Sequence, residues 1–390
     1  MGRGILLFPA MALAVLASVV ALLALAIGPA QSAVSLPAGF TKSQVTSSLT
    51  KPMDMEFAPD GRLFVAQQNG KVRLVKSNGT LVRFLDISTK VATKGERGLQ
   101  SLTFDPDFST NHYVYLYYTR KATATTPVHN RIVRVTANGD KAELIFRLNN
   151  QTSAYHMGGD IDFGQDGKLY ISTGDNETSG NAQKLTNLFG KILRINNDGT
   201  IPSDNPFYAT ASGENRAIWA LGLRSPFKFA VKPGTNTLFI NDAGERGYEE
   251  INQGASGANY GWNLCEGAHD NPDRAGSVVC TASPYTPPVY EYEHGKTETT
   301  GCAITGGVFY NPATVQFPPR FLGRYFFADY CNGWIRRYVP ATDKAIGFAT
   351  GLDNVVDLEV SKEGELYYLR REPPVQGTQG WVGKIGYAGN

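Results

Sequence analysis

The sequence lacks the features that mark nucleic-acid-binding proteins and metal–thiolate proteins. It contains no run of basic residues, and its 37 Lys and Arg nearly balance its 35 Asp and Glu. Only four Cys occur in 390 residues, and no two of them have the Cys-x-x-Cys spacing of zinc or redox sites. No Pro/Ser-rich linker or low-complexity segment interrupts the chain. These absences argue against a nucleic-acid partner and favour one domain after the N-terminal segment.

Long hydrophobic runs are also scarce, apart from one at the N-terminus. A positively charged residue precedes an apolar stretch over residues 5–27, and the small residues that follow suit cleavage after Ser32. We therefore predict that residues 1–32 are a signal peptide and that residues 33–390 form one domain. An uncleaved anchor is the alternative, because about 20 apolar residues can span a bilayer. Both interpretations predict a secreted, periplasmic or extracellular protein, with a membrane contact only if the leader is retained.

The four Cys follow this segment, at positions 265, 280, 302 and 331. In an oxidising compartment they are expected to form two disulfides, for which three pairings are possible. We predict the local pairing, Cys265–Cys280 and Cys302–Cys331. Free buried thiols are the alternative, which fits an exported chain less well.

A short sequence motif recurs along the chain and predicts the fold. It consists of an apolar residue, a turn such as Asp-Gly, and a strand rich in Leu, Tyr and Phe. Six copies are present, at residues 57–65, 104–116, 163–171, 231–240, 319–327 and 360–368. Segments that alternate apolar and polar residues, as half-buried strands do, accompany the copies. Such a repeat, at about 40–60 residues, is typical of propellers. We therefore predict an all-β, six-bladed β-propeller of four-stranded antiparallel sheets.

Among the five His, His156 is the candidate for chemistry. It precedes Gly158 and Gly159, which would let the backbone approach a ligand closely. Asp175 follows 19 residues later, so a hairpin returning to the same end of a blade would place it beside His156. An imidazole held by a carboxylate can act as a general base. A packed, structural histidine explains the pattern of residues equally well.

Three other loops carry candidate ligand-binding residues. The stretch 241–252 combines carboxylates, Asn and Gly, which suit a hard cation such as calcium, although it lacks the EF-hand spacing. A solvated acidic turn is the alternative there. Arg224 follows an apolar strand and could hold an anionic cofactor, and Glu96 stands at the tip of a turn.

Together, these motifs resemble the soluble glucose/sorbosone dehydrogenase family, six-bladed propellers that use pyrroloquinoline quinone (PQQ) and calcium. The resemblance extends from about residue 49 to about residue 386. The matching segments, besides His156, are residues 95–99, 104–108, 174–175, 190–195, 204–207, 222–226, 249–252 and 259–262.

The resemblance implies roles for individual residues. His156 would take the proton of the sugar C1 hydroxyl while hydride passes to the quinone, which yields a lactone, and Asp175 would orient His156. Glu96 would bind the substrate, and Arg224 and the adjacent Ser225 would lie at the cofactor.

The resemblance also implies two calcium sites. The backbone carbonyls of Gly244 and Glu245 would hold the calcium that bridges to PQQ. Glu250 and the carbonyl of Tyr260 would hold a second, structural calcium.

The sequence departs from the family pattern around the cofactor. Ser225 replaces the usual Asn, and Phe227 replaces the usual Gln. The stretch 354–357, Asn-Val-Val-Asp, replaces an Arg-x-Arg-Asp motif whose guanidinium groups meet the cofactor carboxylates. Residues 302–307 and 327–331 also resemble the propellers of hedgehog-interacting-protein-like proteins.

We therefore predict an exported, PQQ-dependent sugar dehydrogenase that acts on a small sugar and passes electrons to an external acceptor. One alternative is a non-catalytic propeller that binds a protein or carbohydrate partner, which the missing Arg pair favours. The other is a calcium-dependent lactonase, which would need metal-binding side chains from several blades that we do not find in the sequence.

Overall fold

The computed structural model describes residues 34–136, 142–274, 278–371 and 379–389. The predicted leader, residues 1–32, lies outside the described residues and stays a prediction. Within the described ranges, no helix is both long enough and apolar enough to cross a membrane.

The described residues form six four-stranded antiparallel sheets and one short two-stranded ribbon, which confirms the predicted six-bladed propeller. The first strand, β1 (Phe40–Leu49), belongs to the last sheet. Blades 1 and 2 consist of β2 (Pro52–Phe57), β3 (Leu63–Gln67), β4 (Lys71–Val75), β5 (Leu81–Asp86), β6 (Leu99–Phe104), β7 (Tyr113–Arg120), β8 (His129–Thr136) and β9 (Ala142–Asn150). Blade 3 consists of β10 (Gly158–Phe163), β11 (Leu169–Thr173), β12 (Lys191–Ile195) and β13 (Ile218–Leu221).

Blade 4 contains the ribbon as an insertion before its fourth strand. Its strands and the ribbon are β14 (Pro226–Val231), β15 (Leu238–Asp242), β16 (Tyr248–Gln253), β17 (Cys265–Glu266), β18 (His269–Asp270) and β19 (Tyr290–Glu293). Blades 5 and 6 add β20 (Ile304–Phe309), β21 (Tyr325–Asp329), β22 (Ile335–Val339), β23 (Lys344–Ala349), β24 (Val355–Val360), β25 (Leu366–Arg370) and β26 (Gly380–Tyr387). Helical turns are short: α1 (Phe108–Asn111) and 3₁₀ turns at Ser179–Asn181, Gly213–Ala217, Pro319–Phe321 and Pro340–Thr342.

The recurring motif forms the turn between the first and second strands of each blade. In blade 1, Asp60 accepts a hydrogen bond from the backbone N–H of Arg62 at 3.1 Å, which fixes the turn. Gly61 has a φ of 85°, a left-handed conformation that glycine adopts without a steric cost. Asp166 accepts the equivalent bond from Lys168 in blade 3, also at 3.1 Å. In blades 1 and 3, the repeat in the sequence is therefore a repeat of one turn chemistry.

The ring closes through its N-terminal strand. Strand β1 pairs antiparallel with β26, beginning with Phe40 opposite Tyr387, so the last blade takes its outermost strand from the start of the domain. Buried side chains of neighbouring blades also interlock, as the ring of Phe64 in blade 1 lies 5.2 Å from that of Phe104 in blade 2, centroid to centroid. The hydrophobic core is thus distributed between blades, which lets a single domain exceed the usual size of a single core.

The first strand of each blade lines the central channel. In every blade it begins opposite the end of the second strand, as Gly158 lies opposite Thr173 in blade 3. At one end of the channel, the first strands begin and the second strands end. We call this end the upper mouth. Loops that follow the second strands therefore meet at this mouth, and the candidate residues lie there.

A lysine bridges four blades inside the channel. Lys228 of blade 4 forms ion pairs with Asp54 of blade 1, Asp160 of blade 3 and Asp357 of blade 6. The N–O distances to Asp160 and Asp357 are 3.2 and 3.4 Å. All four side chains are buried, so the ammonium compensates part of the carboxylate charge where water is scarce.

Candidate active site

The structure places His156 and Asp175 in direct contact at the upper mouth. The Nδ1 atom of His156 lies 2.8 Å from Oδ1 of Asp175. Because a carboxylate only accepts hydrogen bonds, Nδ1 carries the proton in the neutral imidazole, and Nε2 is left unprotonated. The His156 side chain is 20% exposed and that of Asp175 only 1%, so the imidazole is reachable while its partner is not.

The local backbone explains this placement. His156 precedes β10, and Asp175 follows its hairpin partner β11 by two residues. A Cβ atom at Gly174 would lie 2.1 Å from the carbonyl oxygen of His156, so only glycine allows the two segments to approach this closely. His156 itself has a φ of 54°, a conformation uncommon for residues other than glycine and often found at functional sites.

Asp175 is fixed by three further hydrogen bonds. Its Oδ2 accepts one from the indole Nε1 of Trp262 at 2.8 Å, and its Oδ1 accepts one from the backbone N–H of Glu177 at 2.8 Å. Its own backbone N–H donates to the carbonyl of Arg224 at 2.8 Å. These bonds hold the Asp175 side chain in place and tie blade 3 to blade 4.

Glu96 reaches the same place from blade 2. Its Oε2 accepts a hydrogen bond from the backbone N–H of His156 at 2.7 Å. The backbone N–H of Glu96 donates to the carbonyl of Ala154 at 2.9 Å. The predicted substrate-binding residue is therefore adjacent to the predicted base, and its carboxylate helps to hold the His156 backbone.

Arg224 and Ser225 lie on the blade 4 side of the mouth. Their backbone N–H groups donate to the two oxygens of Asp242, at 2.9 and 2.6 Å. Burial raises the pKa of Asp242 to about 7, and these two donors oppose the shift. The guanidinium of Arg224 donates to the carbonyl of Ala243 at 3.0 Å and lies over the Trp262 ring. Its buried Nε has no hydrogen-bond partner among the described residues.

The loop of Gly244 and Glu245 wraps around a carboxylate. Oε1 of Glu266 accepts hydrogen bonds from four successive backbone N–H groups, at 2.6–3.4 Å, of Glu245, Arg246, Gly247 and Tyr248. Burial alone would raise the pKa of Glu266, but these donors outweigh it and lower the pKa. The sequence did not point to Glu266, because this contact depends on how the insertion folds back over the loop.

Glu250 and Tyr260, the other predicted calcium ligands, each form their own hydrogen bonds. Glu250 accepts hydrogen bonds from the backbone of Gly267 at 2.5 Å and from the side chain of Asn252 at 2.9 Å. Burial and the nearby carboxylate of Asp242 raise its pKa well above the ordinary value. The Tyr260 hydroxyl donates to the carbonyl of Gln253 at 2.9 Å. In the described part of the chain, no group of three or more His, Cys, Asp and Glu has the arrangement of a metal site.

Both predicted disulfides are confirmed. Cys265 pairs with Cys280, and Cys302 pairs with Cys331, with 15 and 29 residues of sequence separation. The first bond closes the insertion that carries Trp262 and Glu266. The second joins the start of blade 5 to the loop after its second strand, at the upper mouth.

The sequence analysis missed three residues at this mouth. Trp262 stood within a matching segment but was given no role, although its indole holds Asp175. Arg371 and Gln68 follow the second strands of blades 6 and 1, and their side chains are hydrogen-bonded at 2.7 Å. Aligning the repeats would have found them, because the residues after every second strand meet at the upper mouth.

Comparison with known proteins supports the resemblance. The chain is 28% identical to the aldose sugar dehydrogenase YliI of Escherichia coli (strain K12) over 286 residues, which cover 70% of this chain and 74% of YliI. It is also 28% identical to the quinoprotein glucose dehydrogenase B of Acinetobacter calcoaceticus, covering 62% of this chain and 56% of that protein. Human hedgehog-interacting protein is 30% identical over 52% of this chain, but the match covers only 33% of its length.

The structural comparison agrees with the sequence comparison. The solved apo-form structure of the soluble aldose sugar dehydrogenase of Escherichia coli superposes with a TM-score of 0.77 at 25% identity, covering 89% of this chain and 99% of that chain. The Glucose / Sorbosone dehydrogenase family matches residues 49–374. The chain therefore belongs to the glucose/sorbosone dehydrogenase family.

Proposed function

We propose that this protein is an exported, PQQ-dependent dehydrogenase that oxidises the C1 hydroxyl of aldose sugars to lactones. The observation that carries the proposal is the His156–Asp175 pair, held by Trp262 at the upper mouth of a propeller of this family. The names of the aldose sugar and quinoprotein relatives support the substrate and cofactor classes.

His156 has the surroundings of a general base. Asp175 holds the Nδ1 proton, so Nε2 can accept the proton of the sugar C1 hydroxyl, and the resulting imidazolium would be stabilised by the buried carboxylate. PQQ, when bound, would accept the hydride from C1. Glu96 lies close enough to His156 to position the sugar hydroxyl groups, because its Oε2 is bonded to the His156 backbone.

The residues at the mouth fit an anionic quinone. PQQ carries three carboxylates, and the Arg224 guanidinium has a buried Nε without a partner in the described part of the chain. A buried donor left unpaired costs about 1–3 kcal/mol, which an anionic ligand would recover. Arg224 also lies beside Trp262, which binds Asp175, so a ligand on Arg224 would lie near the proposed base.

Calcium is part of the proposal as the cation that would neutralise the cofactor. The backbone carbonyls of Gly244 and Glu245, in the loop after β15, are the groups that would hold it, and carbonyl oxygens suit this ion. The second site, at Glu250 and the Tyr260 carbonyl, is proposed in the same way. The electron acceptor would be an external molecule.

Export is supported by the two disulfides, which persist in oxidising compartments. The apolar run over residues 5–27 would supply the export signal or an anchor. A periplasmic or extracellular location would also give the enzyme access to free sugars.

The test is to titrate the purified apo-protein with PQQ and calcium and then to assay a panel of aldoses with an artificial electron acceptor. The proposal predicts saturable PQQ binding and turnover that requires both additions. A folded, monodisperse protein that binds PQQ but oxidises no aldose would contradict the enzymatic proposal.

A second candidate is a propeller that binds a protein or carbohydrate partner without catalysis. The observations that favour it are the match to hedgehog-interacting protein and the stretch 354–357, which lacks the Arg-x-Arg pair. Failure to bind PQQ in the titration would favour this candidate. The lactonase alternative gains less support, because the carboxylates that three blades bring together in the channel surround Lys228.

A further inference from the structure

The strand beside residues 354–357 carries an arginine at the upper mouth. Arg371 directly follows β25, and its backbone N–H donates to the carbonyl of Asn354 at 2.8 Å. Arg370, the preceding residue, pairs with Val355 across the two strands. Arg371 is therefore the cross-strand neighbour of the position where the family pattern would place the first arginine of Arg-x-Arg.

The side chain of Arg371 extends toward the loop of Glu96. Its guanidinium donates to the side-chain oxygen of Gln68 at 2.7 Å and contacts the sulfur of Met53. The amide of Gln68 in turn donates to the carbonyls of Gly95 and Arg97, each at 2.8 Å. Gln68 thus connects Arg371 to the two residues that flank Glu96, whose carboxylate holds the His156 backbone.

Among the described residues, no carboxylate is a hydrogen-bond partner of the Arg371 guanidinium. Burial lowers its pKa, and interactions with Tyr330 and Glu96 oppose this shift. Its side-chain partners in the described part of the chain, an amide oxygen and a thioether, are both neutral. Withdrawing a guanidinium from water without a directly bonded anion is costly, so this arrangement favours binding of an anionic group at the mouth.

We propose that Arg371 binds a carboxylate of the quinone cofactor and supplies, from β25, positive charge that residues 354–357 lack. This inference rests on the proposed function. A planar guanidinium can bind a carboxylate through two parallel hydrogen bonds, and the two contacts described above use only part of its five N–H donors. With Arg224 on blade 4, the mouth would present two arginines to one anionic ligand.

The test measures cofactor affinity rather than activity. Apo-protein with calcium is titrated with PQQ, and Kd is measured by equilibrium dialysis for the natural chain, Arg371→Gln and Arg371→Lys. The titration is repeated with the trimethyl ester of PQQ, in which the carboxylates carry no charge. We expect Arg371→Gln to weaken PQQ binding by about 10- to 100-fold, as loss of a charge-assisted hydrogen bond would. It should leave the affinity for the ester unchanged.

The controls separate this role from a structural one. Arg83→Gln removes an exposed arginine from the outer strand of blade 1 and should leave both affinities unchanged. Arg371→Lys keeps the charge, is expected to fold, and should give an intermediate Kd for PQQ. Circular dichroism and the melting temperature check that each variant is folded. If Arg371→Gln does not fold, the comparison of Arg371→Lys with the natural chain on PQQ and on its ester decides the question.

Three outcomes would overturn the inference. Unchanged PQQ affinity in the Arg371 variants would refute it while leaving the proposed function intact. Equal losses for PQQ and its ester would show that Arg371 only supports the shape of the mouth. No PQQ binding by the natural chain would defeat the inference and the proposed function together.

Discussion

Replacing Lys228 with methionine should destabilise the propeller strongly, and by more at high pH than at low pH. The lysine forms ion pairs with Asp54, Asp160 and Asp357, which lie on the first strands of three other blades and are 3%, 6% and 3% exposed. Burial alone would lower the pKa of Lys228, but the three carboxylates raise it well above the ordinary value. The ammonium is therefore charged at any ordinary pH, and methionine would leave its partners without a cation.

The size of the effect follows from the number of buried charges left unpaired. Breaking one buried ion pair by removing a partner costs about 3–5 kcal/mol, and here one side chain serves three carboxylates. We expect the free energy of unfolding to fall by at least about 3–5 kcal/mol at about pH 8. The loss should shrink toward about pH 5, because carboxylates without a cation can take up protons instead.

The direction of this pH dependence is set by the carboxylates. Burial, together with repulsion from Asp54 and Asp160, raises the pKa of Asp357 to about 8 even beside Lys228. A carboxyl whose pKa is higher in the folded than in the unfolded state contributes stability that is present at low pH. That contribution is lost as the pH rises through about 8. Without the lysine the pKa would rise further, so the variant should recover on acidification.

Urea unfolding of Lys228→Met at about pH 5 and about pH 8 measures the difference. Lys232→Met, which changes an exposed lysine in the following turn of the same blade, is the matched control. Adding Asp160→Asn to Lys228→Met should restore part of the loss, since one fewer carboxylate then lacks a cation. A loss below about 1 kcal/mol at pH 8, or an equal loss at both pH values, would refute this account of the channel.

Three further predictions concern the proposed site and the disulfides. In steady-state assays, His156→Ala should lower kcat by about 10²–10⁴-fold with an unchanged circular dichroism spectrum, and Asp175→Asn should lower kcat because the imidazole loses its orientation. An unchanged kcat in both variants would exclude His156 as the base. Replacing Cys265 and Cys280 with Ala should cost about 3 kcal/mol and lower the melting temperature, whereas an unchanged temperature would mean that the bond adds no stability. A calcium chelator should lower the melting temperature of the natural chain, and an unchanged melting curve with no calcium by elemental analysis would contradict both calcium sites.

Much of the fold could be predicted from the sequence because its determinants are local. The turn of Asp60 and Gly61 is fixed by neighbouring residues, and Asp166 forms the same turn in blade 3. The contact of His156 with Asp175 was predictable for the same reason, since both residues flank one hairpin. The local disulfide pairing also needed only short-range reasoning, because each bond joins segments within or beside one blade.

Contacts between blades could not be predicted in this way. Arg371 and Gln68 are 303 residues apart and meet only because the ring closes between blades 6 and 1. The cluster around Lys228 likewise needs four blades in place before its charges meet. The sequence shows these residues but not their distances, and the charge balance of the channel and mouth depends on those distances.

The central claim, that His156 supports sugar oxidation by a bound quinone, is tested most directly by the first half of the reaction. Protein loaded with PQQ and calcium is mixed anaerobically with an aldose, and the absorbance of the quinone is followed in a stopped-flow instrument. The account predicts rapid reduction of the quinone, slowed by deuterium at C1 of the sugar and nearly abolished in His156→Ala with PQQ still bound. Bound quinone that no aldose reduces, or that His156→Ala reduces at the rate of the natural chain, would contradict the account.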